Sequence, residues 1–394
     1  MSTPLRTYLD HNATHPVLPA VAQAVAEAVG VWGNPSSLHA EGRKARALIE
    51  GARGAVAELF GADRMEVVFT SGGTEADVLG IMACARAAIA MGLPRVVATT
   101  AIEHPAVRGA VLALREFGFT IRELPLTANG VIVVEQAVPL LADVGMCALA
   151  LVNHEIGVVQ PLAALAEALR PTRALLHVDA VAAAGRISLA DAYEYADTIA
   201  ISAHKLGGIK GAGAVCVRAR GGERGVHLGA ALPLVEAGSQ ERGRRPGTES
   251  PVAIAGFGVA AAHALQHLEH WPQVAALGAN LEAGLAALPQ CTITAAAAPR
   301  IGGTINARFA GARGESIVIG LDLAGVATST GAACTSGSIK PSAVLLGLGL
   351  SDDEARSAVR FSLGHATSAD DITRVLALLP PIVERARKYR GNAG

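Results

Sequence analysis

Cys334 stands in ATSTGAACTSGSIK, residues 327–340, among Ala, Gly, Ser and Thr. Such pliable surroundings suit a thiol that must move and react better than one that packs. The other cysteines, Cys84, Cys147, Cys216 and Cys291, lie in or beside apolar helix-like and strand-like runs and read as small buried hydrophobes. An odd count scattered this widely is neither a metal-ligand pattern nor a disulfide framework. Lysine occurs only at 44, 205, 210, 340 and 388. Lys44 falls on a charged helix face, Lys210 in a glycine-rich turn, Lys340 before a proline and Lys388 in a basic terminal turn. Lys205 alone follows an apolar strand, TIAIS, with His204 beside it. Asp179 closes another buried strand, ALLHV. A lysine and an aspartate at neighbouring strand ends are what pyridoxal 5'-phosphate needs. The lysine carries the cofactor, and the aspartate keeps its pyridine nitrogen protonated, so that the ring can draw electrons from a substrate. On spacing alone, a structural role for this pair remains equally open. TSGGTE, after the strand EVVF, offers backbone N–H groups at a helix start that suit a phosphate, although an ordinary turn reads the same way. His104 follows the strand VVATT, a place where a lone histidine is usually structural.

The elements that must hold these residues alternate. From about residue 36 helix and strand succeed each other. SSLHAEGRKARALIEGARGAVAELF reads as an amphipathic helix with Asn34-Pro35-Ser36 as its start signal, and PAVRGAVLALREFG as a helix opened by Pro105 and closed by Gly118. Short unalternating apolar runs such as CALALVN and GAGAVCVR suit strands covered on both faces. The pattern predicts an α/β fold with a mostly parallel central sheet and helices on both faces. In such a sheet, ligands gather at the carboxyl ends of the strands. After about residue 250 a long helix, SPVAIAGFGVAAAHALQHLEHW, is followed by the strands GTINARF and SAVRFSL mixed with helices, which suggests a smaller α+β domain. The expected division is 15–255 for the large cofactor-binding domain, with 1–14 and 256–394 forming the small domain that carries the Cys334 loop.

Bulk composition narrows the function classes. The chain has 394 residues, 51% of them hydrophobic, with a formal net charge of −1 and no block of like charge. This gives no nucleic-acid or membrane-surface footprint. No apolar run reaches the ~18 residues of a membrane span, and the N-terminus lacks a signal-peptide core, so a cytoplasmic protein is expected.

Taken together, YLDHNATHPV, GNPSSLH, VVFTSGGTEAD, IEHPAV, VNHEIGVVQP, HVDA, SAHKLGGIKGAGA, QERGRRPGTES, STGAACTSGS and VRFSLG occur in the order found in cysteine desulfurases, from about residue 8 to 364. The chain therefore resembles these class V aminotransferase-like, fold-type I pyridoxal-phosphate enzymes. The resemblance implies that Lys205 carries the cofactor and shuttles the substrate proton, that Asp179 binds the pyridine nitrogen and that His104 stacks on the ring. It assigns the phosphate to Gly73, Thr74, Ser202 and His204, and to Thr248 reaching in from the other subunit of a homodimer. It also implies cofactor contacts from Asn153 and from the position of His154, places the carboxylate of L-cysteine on Asn34 and Arg360, and makes Cys334 the nucleophile that takes up sulfur as a persulfide. No metal is implied. A sulfur-acceptor protein is, for iron–sulfur cluster assembly, tRNA thiolation or a biosynthetic pathway.

The sequence departs from the family's usual pattern at Ala182, where a glutamine hydrogen-bonds the cofactor's phenolic oxygen, and at His154, where a second asparagine is common. His15 and the LGGIKG segment are also unusual. His154 is expected to compensate partly for the missing glutamine. Two alternatives accompany the main reading. One is a selenocysteine lyase, or another class V lyase or cyclase of specialised metabolism. The other is a non-catalytic sulfur-relay scaffold, against which the joint presence of Lys205, Asp179, His104 and Cys334 argues.

Overall fold

A computed structural model describes residues 6–218, 237–331, 334–335 and 338–391, apart from the side chains of 334–339 and 389–391. Its strands are β1 (Thr7–Tyr8), β2 (Val67–Thr70), β3 (Val96–Thr99), β4 (Thr120–Glu123), β5 (Met146–Ala150), β6 (Leu175–Asp179), β7 (Thr198–Ser202), β8 (Gly213–Val217), β9 (Cys291–Ile293), β10 (Thr304–Phe309), β11 (Val326–Ala327), β12 (Cys334–Thr335), β13 (Ser338–Ile339) and β14 (Ala358–Ser362). Its α-helices are α1 (Pro19–Val29), α2 (Ala40–Phe60), α3 (Gly73–Ala90), α4 (Pro105–Ala113), α5 (Val134–Leu141), α6 (Leu162–Leu169), α7 (Ala190–Tyr195), α8 (Pro251–Gln266), α9 (Trp271–Ala286), α10 (Gly314–Leu323), α11 (Ala343–Gly347), α12 (Asp352–Arg356) and α13 (Ala369–Gly391).

Seven strands form one sheet in the order β2-β8-β7-β6-β5-β3-β4. Only β8 runs against the others. The apolar runs are unalternating because both faces are covered, and successive side chains feed opposite cores. Phe69, Cys147, Leu149, Ile199 and Ile201 join the core that includes α2, α6 and α8. Val68, Met146, Ala148, Ala200 and Val215 join the core under α3 and α4. The edge strand β4, TIRE, is the exception in composition, and it is partly exposed. Parallel strands put the ends of β2, β3, β5, β6 and β7 on one side, and every predicted strand-end residue follows one of them.

A second sheet, β14-β10-β9, is antiparallel, and all three of its strands follow residue 290. α8 runs without a break across residue 255 and packs on α1 and α2. The N-terminal segment crosses between the sheets. Thr7 and Tyr8 pair with Val326 and Ala327, and Asp10 bridges to Ser362. Among the described residues no single helix is long and apolar enough to cross a membrane.

Two expectations need correction. Asn34-Pro35-Ser36 does not start the helix. The Asn34 Oδ1 accepts the Ser36 N–H (2.9 Å), closing a turn, and α2 begins at Ala40, capped by His39 Nδ1 on the Gly42 N–H (3.3 Å). Cys291 is not fully buried, because it opens the edge strand β9, whereas Cys84, Cys147 and Cys216 are buried as expected.

Candidate active site

The strand ends open into a cavity of about 790 Å³ lined by Gly73, Thr74, His104, His154, Asp179, Ala182, Ser202, His204, Lys205 and Arg360, together with Asn12, Asp77, Glu103, Glu155, Arg186 and Lys340. The cavity thus brings together nine of the residues given a site role in the sequence, and Ala182 besides. Lys205 ends a 3₁₀ turn after β7, and its Nζ donates to the carbonyls of Asn12 and Ala13 (3.0 Å to the latter). Burial, then Arg360 and Arg186, lower its pKa to about 8. Asp179, at the end of β6, accepts the Val181 N–H (2.8 Å). Burial and the neighbouring Asp77 raise its pKa to about 8. A cation or a proton beside that carboxyl relieves the strain of an uncompensated buried charge. His104 caps α4, its Nδ1 accepting the Ala106 N–H (3.1 Å), which leaves Nε2 to face the cavity. Burial and Lys205 depress its pKa to about 4, so the ring is neutral.

At the cavity's far corner α3 begins at Gly73 with no side-chain cap. Gly73 and Thr74 line the cavity, and the buried Ser202 Oγ beside them has no hydrogen-bond partner among the described residues. There is no room for a side chain at residue 73, where a Cβ would stand 2.9 Å from Val181 Cγ2 and 3.2 Å from Ser202 Cβ. An uncapped helix start and an orphaned hydroxyl are what an anion satisfies. Across the cavity, Arg360 on β14 donates to Asp10 Oδ1 (2.8 Å) and the His154 carbonyl (3.3 Å), while its buried Nε has no partner among the described residues. The His154 ring meets that of His104 edge-on, with centroids 4.9 Å apart, and burial holds it neutral.

Three predicted residues do not line this cavity. Asn153 is spent on local structure: Nδ2 donates to the Ile102 carbonyl (2.8 Å), and Oδ1 accepts the N–H groups of Glu155 (2.9 Å) and Ile156 (3.1 Å). Asn34 closes the exposed turn before α2. Thr248 is exposed, in a segment anchored by Glu241 on Arg53 and by Arg245 on Glu75 of α3 (2.8 Å). The Cys334 backbone pairs with Ile339 in a short hairpin, and its thiol lies outside the described side chains.

Two residues not singled out in the sequence are central. The Asn12 Nδ2 donates to the His154 carbonyl (2.9 Å) and to Thr304 Oγ1 (3.1 Å), while its Oδ1 accepts from Arg186 (2.6 Å). Only the motif YLDHNATHPV hinted at the first, and nothing marked the second. Asp77, His104 and Asp179 have donor atoms within 4.8 Å of one another, close enough to share a metal ion in place of the organic group that their surroundings suit.

A mostly parallel sheet with a lysine, an acid and an anion corner at its strand ends defines an aminotransferase-like α/β protein. The chain belongs to the Aminotransferase class-V family, which matches residues 7–375. It is 39% identical to a cysteine desulfurase of Cereibacter sphaeroides, over 97% of both chains. It is 37% identical to the cysteine desulfurase NifS of Azotobacter vinelandii, over 96% of this chain and 93% of the relative. Among solved structures, a NifS-like protein superposes with a TM-score of 0.85 at 29% identity, covering 97% of this chain and all of the other. DndA from Streptomyces lividans superposes at 0.75 and 34% identity, over 90% and 99%.

Proposed function

We infer that the protein is a pyridoxal-phosphate-dependent cysteine desulfurase, converting L-cysteine to L-alanine and keeping the sulfur as a persulfide on Cys334 for an acceptor protein. The observation that carries this reading is the convergence of Lys205, Asp179, His104, Ser202 and Arg360 on one cavity, in a chain whose full-length relatives are cysteine desulfurases. The residues fit the cofactor. The α3 start at Gly73 and Thr74, with the free Ser202 hydroxyl and His204, would hold the phosphate. Asp179 would hold the ring nitrogen, His104 would face the ring, and Lys205 would provide the covalent tether. When bound, the cofactor supplies an electron-withdrawing ring that weakens the bonds around the amino acid's α- and β-carbons.

The chain's own residues do the rest. Arg360 offers its unpartnered Nε and adjacent nitrogens to the substrate carboxylate. Lys205, with a pKa near 8, takes and returns a proton close to neutral pH. The Cys334 thiolate attacks the substrate sulfur: an S–S bond forms as the C–S bond breaks, the carbon keeps the bonding electrons and gains a proton, and alanine leaves. L-cysteine plus enzyme thiol thus balances alanine plus enzyme persulfide, with no outside oxidant. The Gly and Ser composition around Cys334 in the sequence suits a thiol that must pass its sulfur on to an acceptor.

Alanine and sulfide formation from L-cysteine tests the reading. Cys334→Ala should abolish both while the protein's yellow colour persists. Continued turnover of an amino acid by that variant would instead assign the chain to a lyase of the same family. We also propose a homodimer in which the exposed Thr248 reaches the neighbouring cavity, to be checked by sedimentation. The separation of the seven-stranded from the three-stranded sheet supports two domains, but α8, which packs on α1 and α2, belongs with the large one, so the proposed boundary moves from 255 to beyond Gln266.

A further inference from the structure

A second cavity, of about 280 Å³, lies on the other side of Lys205, and histidines gather on its wall: His15, His263, His267 and His365. His263 and His267 stand one turn apart on the last stretch of α8 and its cap, with rings stacked 4.6 Å centre to centre. The His365 ring, just beyond β14, comes within 5.6 Å of that of His267, and His270 within 5.4 Å. Two imidazoles sharing one tetrahedral zinc at about 2.0–2.1 Å have ring centres on the order of 5 Å apart. The backbone therefore already spaces these rings as a metal would. Their nitrogens do not converge as they stand. His263 and His267 are only half-buried and His365 is exposed, so turning about their side-chain torsions is open to them.

Two further observations point to a ligand. The imidazoles of His263, His267 and His270 make no hydrogen bond or ion pair among the described residues. The Gly185 carbonyl faces the His365 ring on the wall of this cavity, an acceptor placed to fix the tautomer of a metal-binding imidazole and leave the other nitrogen as donor. Of the two cations on the same wall, Arg186 is engaged by Asn12 Oδ1 (2.6 Å) and lies over the Trp271 ring (5.3 Å), and Lys205 donates to the Asn12 and Ala13 carbonyls.

We propose that His263, His267 and His365 form a binding site for a divalent transition-metal ion, separate from the catalytic cavity and sharing only the Lys205–Arg186 wall with it. The chemistry suits Zn²⁺ or Co²⁺, borderline ions that favour neutral imidazole over carboxylate or water.

The test is calorimetric titration of the cofactor-loaded, full-length Cys334→Ala protein with ZnCl₂. That background removes the reactive thiol, and the cofactor covers Asp179 and His104. One saturable site is expected. It should weaken about tenfold or more in His267→Gln, vanish in the His263→Gln/His267→Gln double variant, and persist in His39→Asn, which changes an unrelated exposed histidine. Retained cofactor absorbance checks that each variant is folded. Co²⁺ should give the visible bands of a tetrahedral nitrogen-ligated ion in the parent and not in the double variant. An absence of zinc binding in the parent, undiminished binding in the double variant, or equal loss in His39→Asn overturns the proposal.

Discussion

At the scale of single residues, the cavity is a set of charges held away from their ordinary states. Burial pulls Lys205 down and pushes Asp179 up, each to about 8, so neither is held in its ordinary charged state near neutral pH. The unusual pair is Ala182 and His154. Ala182 brings no donor to the cavity wall, and His154, neutral, packed on His104 and lining the same cavity, is the side chain we assign to that task. A donor on the cofactor's phenolic oxygen drains the negative charge that holds a proton on the neighbouring Lys205 nitrogen. His154→Ala should therefore move the pH midpoint of the visible absorption upward by about half a unit or more. An unmoved midpoint would remove His154 from the role.

At the scale of elements, the segment carrying Thr248 is held from behind. Arg53 of α2, fully buried, grips Glu241 through two hydrogen bonds (2.6 and 2.7 Å) and also donates to the Val67 carbonyl (3.0 Å). Glu241 and Arg242 have positive φ (48° and 59°), a strained turn that this clamp stabilises. Removing one partner of a buried pair leaves the other charge uncompensated, so Arg53→Ala should cost about 3–5 kcal/mol, read as a fall in denaturation midpoint. The strand ends and the residues on them were legible because apolar runs mark buried strands and ligands gather at their carboxyl ends. The start of α2 was not, because the Asn34 side chain satisfies its own turn rather than a helix end. Nor was Arg186 legible: its contact with Asn12 spans 174 positions, and no local pattern encodes it. The edge strand β4 escaped for a third reason, since TIRE is charged and half-exposed.

At the scale of the whole molecule, Glu155 joins the turn after β5 to the region beyond the Cys334 hairpin. It accepts the Ser342 hydroxyl (2.6 Å), and burial raises its pKa to about 7 despite that bond. A carboxyl whose folded pKa lies above its unfolded value gives stability that is complete below pH ~4.5 and lost as pH rises through about 7. Glu155→Gln, which keeps an acceptor for Ser342, should therefore gain on the parent between pH 5 and 8, by on the order of 3 kcal/mol at the upper end. Melting curves across that range would show the gap open, and a constant gap would exclude the effect. Asn12 meanwhile ties residues near position 12 to Arg186, Thr304 and Ser362 at once. A nascent chain emerging from the ribosome has made all seven strands of the large sheet before Thr304 and Ser362 exist. Its vitamin-binding pocket therefore stays unfinished until those late segments have been made and docked on residue 12.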